Sequence, residues 1–300
     1  MINNTTTTMK LRIRSFIWMM LIGFAAQAQE SNLEKYTPSA LLGKGTWDLT
    51  SFNNIYTQNQ VRNDQGDEVQ LGQRQTFLNS MLQFTYGVSE SGRLNVGFEV
   101  NFNRAFYDSE NGSPFKVFSG GSDLSRTVVS AIGPRVKFVP FASLPNFSVQ
   151  STFLFPVASD LETPFFTAHD RYTWFTQFFY DKKLSAKWRI FLEADFLYRL
   201  KRNSNQVNFF RTPVSGFLSY FPNSRTTLFG FAQYSPRFQN ISNSIEEQFG
   251  FSNWFTQVGA GLKYQLIPNL GIEVSYGNFV ASRQDGAGYS LNLGFRYIRQ

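Results

Sequence analysis

The sequence predicts an all-β protein, a transmembrane antiparallel up-and-down β-barrel of about twelve strands. Side chains alternate between apolar and polar over segments of about ten residues, as in 289–297, where Tyr289, Leu291 and Phe295 share one face. Such segments recur about a dozen times, near the ~9–11 residues that a tilted strand needs to cross a bilayer. The spacers between them alternate between short and long. Together these observations favour a closed barrel in a membrane.

Residues 1–28 have the features of a secretory signal peptide. Lys10, Arg12 and Arg14 form a basic region, 16–26 is a short apolar core, and Ala-Gln-Ala at 26–28 is a small-x-small cleavage pattern. The apolar core of about eleven residues is too short to serve as a membrane anchor. Removing 1–28 leaves 272 residues and lowers the formal charge from +7 to +4, because three basic residues are lost with it. We expect residues 29–45 to form a periplasmic N-terminal tail and residues 46–300 to form the barrel.

The composition argues against several kinds of protein. The chain has no cysteine, so disulfides, thiolate metal sites and a lipid-anchored cysteine are not expected. Its basic residues are spread over many segments and form no stripe, so nucleic acid is not an expected partner. Aromatic residues reach 17%, with 34 Phe, yet the mean hydropathy is −0.26. Apolar and polar residues are therefore interleaved, and after residue 28 no run approaches the roughly eighteen apolar residues of a transmembrane helix.

The alternation gives approximate positions for twelve strands. They are 46–57, 76–87, 94–103, 132–138, 147–155, 172–180, 188–199, 210–221, 226–235, 254–264, 270–276 and 288–298. We expect a bulge in the first strand near 52–55, where the alternation slips. The phase of 172–180 is ambiguous, because both of its faces are apolar. The strand 188–199 is clear, with Leu192 on the apolar face and Glu193 on the polar one.

The spacers alternate in length along the chain. The short ones are near 88–92, 139–146, 181–187, 222–225 and 266–269. The longer and more polar ones are near 58–75, 104–123, 156–170, 200–209, 236–252 and 278–287. Short periplasmic turns and longer outer loops are typical of outer-membrane barrels, and an even strand number places both termini in the periplasm. A soluble two-sheet sandwich is the alternative, but it would need polar outward faces, whereas nearly every strand here has one apolar and one polar face. Closure into a barrel also pairs the backbone groups that an open edge would leave unpaired in lipid.

Aromatic residues are placed where the membrane interfaces should be. We expect at the periplasmic ends Tyr86, Tyr180, Trp188, Phe221, Tyr264 and Tyr297. We expect at the outer ends Phe155, Tyr198, Tyr234, Trp254, Tyr276 and Tyr289. Amphipathic rings prefer the level of the lipid headgroups, whereas the aromatic residues of an ordinary core would not be sorted to strand ends.

The chain after residue 28 resembles bacterial outer-membrane β-barrel proteins. Its last strand resembles the aromatic-rich C-terminal signal read by the barrel-assembly machinery, although Arg299 and Gln300 follow Ile298 where many such proteins end on Phe. Within this class, the opening strand resembles that of Bacteroidetes barrels grouped with the phenol-degradation, meta-pathway family. That resemblance rests on 45–48 (Gly-Thr-Trp-Asp) and 52–58 (Phe-Asn-Asn-Ile-Tyr-Thr-Gln). It implies a transporter-like barrel and does not extend to a particular solute.

Catalytic and metal-binding patterns are weak, so we do not expect an enzyme. His169 is the only histidine, and no serine stands in the His-x-Ser arrangement of barrel phospholipases and deacylases. Asp170 and Asp160 near it only faintly resemble the Asp-His pairs of omptin-type proteases. One histidine without cysteine makes neither a metal site nor a bound cofactor an expectation. The Gly-Ala-Gly sequence at 259–261 lies in a strand, so it is no phosphate loop, and its small residues should make room for lumen side chains.

The polar face of the strands should line the lumen. The inward charged residues, which we predict to be pore-lining, are Glu99, Arg135, Lys137, Arg189, Glu193, Asp195, Arg199, Lys263, Glu273 and Arg296. Six are basic and four are acidic, so the wall is mixed in sign. Two interpretations remain open, namely an aqueous pore whose charges tune selectivity and a rigid ion-pair network that fills a narrow barrel.

The functional prediction is a narrow pore for passive or facilitated passage of small solutes. The alternative is a non-transporting structural or accessory barrel that acts through its outer loops in a membrane complex. The expected partners are outer-membrane lipid, the barrel-assembly machinery through the last strand, and a small-molecule solute. The expected location is the outer membrane of a Gram-negative bacterium, after cleavage near Ala28.

Overall fold

The fold is taken from a computed structural model that describes residues 38–119, 125–158, 170–204, 206–243 and 246–299. The predicted signal peptide and most of the predicted tail lie outside these residues. Within the described part of the chain, no helix is both long and apolar enough to cross a membrane.

The described residues are almost entirely β-strand. The strands are β1 (Trp47–Arg62), β2 (Glu68–Gly87), β3 (Leu94–Ser109), β4 (Ser125–Phe138), β5 (Phe147–Pro156), β6 (Tyr172–Lys183), β7 (Trp188–Leu200), β8 (Phe209–Arg211), β9 (Val214–Asn223), β10 (Thr226–Asn243), β11 (Glu246–Ile267), β12 (Leu270–Arg283), β13 (Asp285–Gly286) and β14 (Tyr289–Arg299). A short 3-10 helix, Pro114–Phe118, lies in the connection between β3 and β4.

These strands form one closed antiparallel barrel. Each strand pairs with its sequence neighbour, and β14 pairs with β1 over eleven residue pairs from Trp47 to Thr57. The short β8 and the longer β9 both lie between β7 and β10, so they are two parts of one barrel strand interrupted at Thr212 and Pro213. The two-residue β13 only extends the pairing of β1 at the outer end. The barrel therefore has twelve strands, as predicted.

The burial pattern is inverted relative to a soluble protein. On β3, Phe98 is 46% exposed on the outer face, whereas its neighbour Glu99 is 3% exposed on the inner face. Asn95 and Asn101 are also buried, while Val96 is exposed. An apolar outer surface with a polar interior is what alternation must produce when the surrounding medium is hydrocarbon.

The structure resolves the ambiguous sixth strand. Trp174 and Phe178 are exposed on the outer face of β6, and Thr173 and Phe179 are buried inside. The phase of β7 is as predicted, since Leu192 is exposed on the outer face.

Two predictions about local structure were wrong. The pairing of β1 is regular through 52–55, and the bulge lies between Gln58 and Gln60. The alternation slips because Phe52 points inward, where its ring packs over Gly294. Several predicted outer loops also begin later and end earlier than expected, because β1, β2, β10 and β11 continue through much of 58–75 and 236–252. Strand that extends beyond the bilayer needs no apolar face, so its sequence reads as loop.

Aromatic pairs mark both ends of the apolar belt. At the end with short turns, Trp188 lies 4.9 Å from Tyr220 between ring centroids. At the other end, Tyr234 lies 5.8 Å from Trp254. The ten residue-to-residue steps from Trp254 to Tyr264 span roughly 33 Å along β11, which a strand tilt of about 40° reduces to about 25 Å across the membrane. That matches the hydrocarbon thickness of an outer-membrane barrel.

One predicted interface residue points the other way. Phe221 shares the inward face of β9 with Ser215 and Phe217, and it lines the lumen. The period of two fixes this orientation, and the error arose because the phase of β9 was not assigned from the sequence.

Candidate functional site: the barrel lumen

The lumen contains a cavity of about 550 Å³. Seven of the ten predicted pore-lining residues reach it, namely Arg135, Lys137, Arg189, Glu193, Lys263, Glu273 and Arg296. The other three do not line the cavity. Glu99 is buried on the inner face of β3, and Asp195 and Arg199 follow Glu193 toward the outer end of β7. The structure thus collects most of the predicted set around one space, and their role in a pore stays a prediction.

Ion pairs tie neighbouring strands together across this wall. Lys263 on β11 pairs with Glu273 on β12 at 2.8 Å, as two members of the predicted set. Arg296 pairs with Asp48 at 2.6 Å, and Arg189 pairs with Asp181 at 3.1 Å. These pairs leave few unpaired charges on the wall, and each pair also links two strands.

A chain of hydrogen bonds runs around the wall from β4 to β7. Arg135 donates to Gln150, whose Nε2 donates to Oε1 of Gln177 at 2.7 Å. Gln177 Nε2 in turn donates to Glu193 Oε1 at 2.8 Å. The guanidinium of Arg135 on β4 is therefore connected to the carboxylate of Glu193 on β7 through two amides that polarise one another.

Glu99 is held in a separate cluster. Its carboxylate accepts hydrogen bonds from Gln83 Nε2 at 2.8 Å and from Asn101 Nδ2 at 2.9 Å. This carboxylate stabilises the wall between β2 and β3.

Five phenylalanines also line the lumen. The phenylalanine wall consists of Phe179, Phe191, Phe217, Phe229 and Phe231 from β6, β7, β9 and β10. Successive ring centroids are 5.8 Å apart between Phe179 and Phe191, 5.4 Å between Phe191 and Phe217, and 5.5 Å between Phe217 and Phe231. The phenylalanine wall therefore forms an apolar surface in the lumen, next to polar residues of the same strands such as Gln177 on β6 and Glu193 on β7.

Two glycines make room for this wall. A Cβ at Gly261 would meet the ring of Phe229 and Cβ of Ser275, and a Cβ at Gly259 would meet the ring of Phe231. The prediction that small residues at 259–261 make space for lumen side chains is confirmed.

The segment before β1 lies against the lumen wall. Lys137 Nζ donates to the carbonyl oxygens of Pro38 and Ala40, the latter at 2.8 Å. Asn95 exchanges two hydrogen bonds of 2.9 Å with the backbone of Leu42, which is buried. Because these partners lie at the ends of β3 and β4 that adjoin the short turns, residues 38–42 narrow the lumen at that end of the barrel.

The catalytic candidates gain no support from the structure. His169 and Asp160 lie outside the described residues. Asp170 is buried, and its carboxylate accepts hydrogen bonds from Arg171 and Gln206. Among described residues, no group of three or more His, Cys, Asp or Glu is placed to hold a metal ion.

Several lumen residues were missed by the sequence analysis. The polar ones include Asp48, Gln83, Gln150, Gln177 and Asp181. Uncharged amides were not considered as candidates, although the alternation places them on the same faces as the charges. The phenylalanine wall was missed because an inward ring in a barrel looks like a break in the pattern. The phase of β7 places Phe191 on the inward face, but the phases of β6 and β9 were not assigned from the sequence, so Phe179 and Phe217 could not be placed beside it.

The closed barrel, its apolar belt and its polar interior define the class: the chain has the fold of an outer-membrane β-barrel. The crystal structure of the COG4313 outer-membrane channel from Pseudomonas putida F1 is similar, with a TM-score of 0.62, 13% identity, and coverage of 87% of this chain and 98% of that one. The β domain of the Bordetella autotransporter BrkA matches with a TM-score of 0.54, 12% identity, and coverage of 84% and 98%. At such low identity these similarities show the fold alone.

The sequence comparisons add no family assignment. No protein-family model matches the chain, and no curated protein sequence is significantly similar to it. The resemblance to the phenol-degradation, meta-pathway family therefore stays a prediction.

Proposed function

We propose that the protein is a channel through which small solutes cross the outer membrane of a Gram-negative bacterium. The cavity of about 550 Å³ inside a membrane-spanning barrel is the observation that carries this proposal. Its volume is in the range that accommodates a small molecule, about 300–1,000 Å³. The similar barrel from Pseudomonas putida is described as a channel, which agrees with the proposal without establishing it.

The lumen wall suits small solutes with both polar and apolar parts. The amides of Gln150 and Gln177 can replace water around a polar group, while the phenylalanine wall contacts an apolar one. Since most lumen charges are already paired, for example Lys263 with Glu273, the wall does not hold a free ion tightly. Weak, distributed contacts of this kind allow a solute to leave as well as to enter.

Bilayer conductance of the purified and refolded full-length barrel tests this function. We expect discrete conductance steps that decrease when small aromatic or ionic solutes are added, because a solute in the cavity blocks ion flow. Heat-denatured protein is the control. A folded barrel that shows no conductance, and no solute uptake into proteoliposomes, would contradict the proposal.

The second candidate is a non-transporting structural or accessory barrel. It is favoured by residues 38–42, which narrow the periplasmic end of the lumen. Hydrogen bonds to Lys137 and Asn95 hold this segment in place. The two functions predict different bilayer conductances. A structural barrel should remain closed when that segment is released, whereas a channel should conduct more.

The same proposal includes secretion and assembly. We expect the mature N-terminus to be Gln29, since Ala26 and Ala28 suit the small pockets of signal peptidase. We expect the assembly machinery to read β14, the strand that completes closure with β1. N-terminal analysis of protein from membranes checks the first point, and an intact Met1 or Met9 would contradict it. Deleting β14 should leave the chain out of the outer membrane.

A further inference from the structure

Four arginines converge at the outer end of the lumen. The outer arginine cluster consists of Arg171, Arg199, Arg211 and Arg237. The guanidinium carbons of Arg171, Arg199 and Arg237 lie 5.2, 5.5 and 3.8 Å from the ring centroid of Phe209, which is 5% exposed. Three like charges around one small ring repel one another unless something of opposite charge offsets them.

The pairing of the strands places this cluster inside the barrel. Arg199 on β7 is the cross-strand neighbour of Phe209 on β8, and Arg211 is the neighbour of Arg237 on β10. Cross-strand neighbours share a face, and Arg199 shares its face with Glu193, which lines the cavity. The strand ends concerned face the longer loops, so the cluster lies on the outer side.

Two of the four arginines form ion pairs among the described residues. Arg171 pairs with Asp170 at 3.2 Å and Arg211 pairs with Asp285 at 2.6 Å. Within the described ranges, Arg199 and Arg237 form no ion pair and their side chains donate no hydrogen bond. Their Nε atoms are buried and unsatisfied. No described residue accepts a hydrogen bond from their remaining N–H groups, which can therefore bind a ligand.

The contact with Phe209 keeps these two guanidiniums in place without using their N–H donors. A cation over an aromatic face is attracted to the ring itself, so the edge of the guanidinium stays free. Free guanidinium edges bind carboxylate and other oxyanions through paired, charge-assisted hydrogen bonds. Two such edges at one ring are a better fit to an oxyanion than to any neutral group.

Aromatic rings lie at the level of the arginine cluster. The guanidinium carbon of Arg211 lies 5.4 Å from the ring centroid of Phe255, and that ring lies 4.8 Å from the ring of Phe279. A solute whose carboxylate reaches the arginines would therefore have its apolar body near these rings. Glu193 and Asp195 also face inward on β7 and repel an anion there, so the oxyanion is favoured at the arginines and not deeper along this strand.

We propose that the outer arginine cluster recognises the carboxylate of small solutes that have an apolar body. This inference rests on the channel function proposed above and adds the class of solute. Arg199 and Arg237 bind the carboxylate directly, and Phe209 positions them.

Benzoate is a suitable probe, with phenol as the neutral compound of similar size and inorganic phosphate as the oxyanion without an apolar body. In bilayers containing the full barrel, benzoate added on the outer side should block the KCl current at lower concentration than either of the other two. Calorimetry on the detergent-solubilised barrel measures the same binding without requiring conduction.

The variant Arg199→Gln with Arg237→Gln should weaken benzoate binding by about tenfold or more, the loss expected for charge-assisted hydrogen bonds. Arg283→Gln is the matched control, since Arg283 is exposed near the outer end of β12, on the face that points away from the lumen. It should bind benzoate like the unmodified protein. Arg199→Lys keeps the charge but loses the paired donors, so it should be intermediate, and it serves if the double variant does not fold.

The outcomes separate this inference from the channel function. Benzoate binding without any conductance would contradict the channel and support the site. Conductance that benzoate and phenol block equally, or that the double variant leaves unchanged, would overturn the site and leave the channel. Phosphate binding as tightly as benzoate would overturn the selection for an apolar body.

Discussion

Arg296 on the last strand donates two hydrogen bonds to one carboxylate oxygen of Asp48 on the first, from Nε at 3.0 Å and from Nη2 at 2.6 Å. The two residues are 248 positions apart in sequence. The Asp48 side chain is only 5% exposed, so this pair joins the ends of the chain at the point where the barrel closes.

Replacing Asp48 by Asn should destabilise the barrel, because Arg296 then loses a buried charged partner. We expect the free energy of unfolding, measured by urea titration in lipid vesicles, to fall by about 2–4 kcal/mol. Glu90→Gln is the control, since Glu90 and its partner Lys44 are 83% and 55% exposed. That change should cost no more than about 0.5 kcal/mol. Equal effects of the two variants would show that the Asp48 pair has no special part in closure.

An arginine on the lipid-facing surface should be far less tolerated than one in the lumen. Leu192→Arg places a charge near the middle of the apolar belt and should cost about 2–4 kcal/mol of folding. Ser219→Arg on the neighbouring strand faces the cavity and should be milder, because water and polar groups are available there. Folding titrations in vesicles compare the two. Similar costs for both would mean that the lumen is dry or that the faces are misassigned.

Releasing residues 38–42 should widen the periplasmic end. Asn95→Ala removes both hydrogen bonds to Leu42, and Lys137→Met removes those to Pro38 and Ala40. Each variant should raise the single-channel conductance. Lys183→Met is the control, because Lys183 is exposed at the same end of the barrel. The Asn95 variant changes no charge, so a rise seen with Lys137→Met alone would be an effect of charge and would argue against release of the segment.

Neutralising the two inward carboxylates of β7 should change ion selectivity. Glu193→Gln with Asp195→Asn removes both acidic side chains of β7 from the lumen, so the reversal potential in a KCl gradient should shift toward anions. If these carboxylates serve only to hold the wall together, the unfolding temperature should fall and selectivity should stay the same. A variant that alters neither property would contradict both roles and shift attention to the outer loops.

The sequence by itself determined the class of fold and the faces of most strands. A period of two assigns Leu192 to lipid and Glu193 to the lumen without any knowledge of neighbouring strands. The alternation of short and long spacers determined the twelve-strand, up-and-down arrangement. It could not locate the ends of strands such as β10 and β11, because strand outside the bilayer carries no apolar face.

Only the tertiary structure decided which inward residues meet. The alternation fixes the face of a side chain, but the register and tilt of the strands decide which residues lie opposite it. For this reason Asp48 and Arg296 were not predicted as a pair. Arg199 and Arg237 come together at Phe209 because the short β8 lies between their two strands, which the sequence of β8 does not reveal.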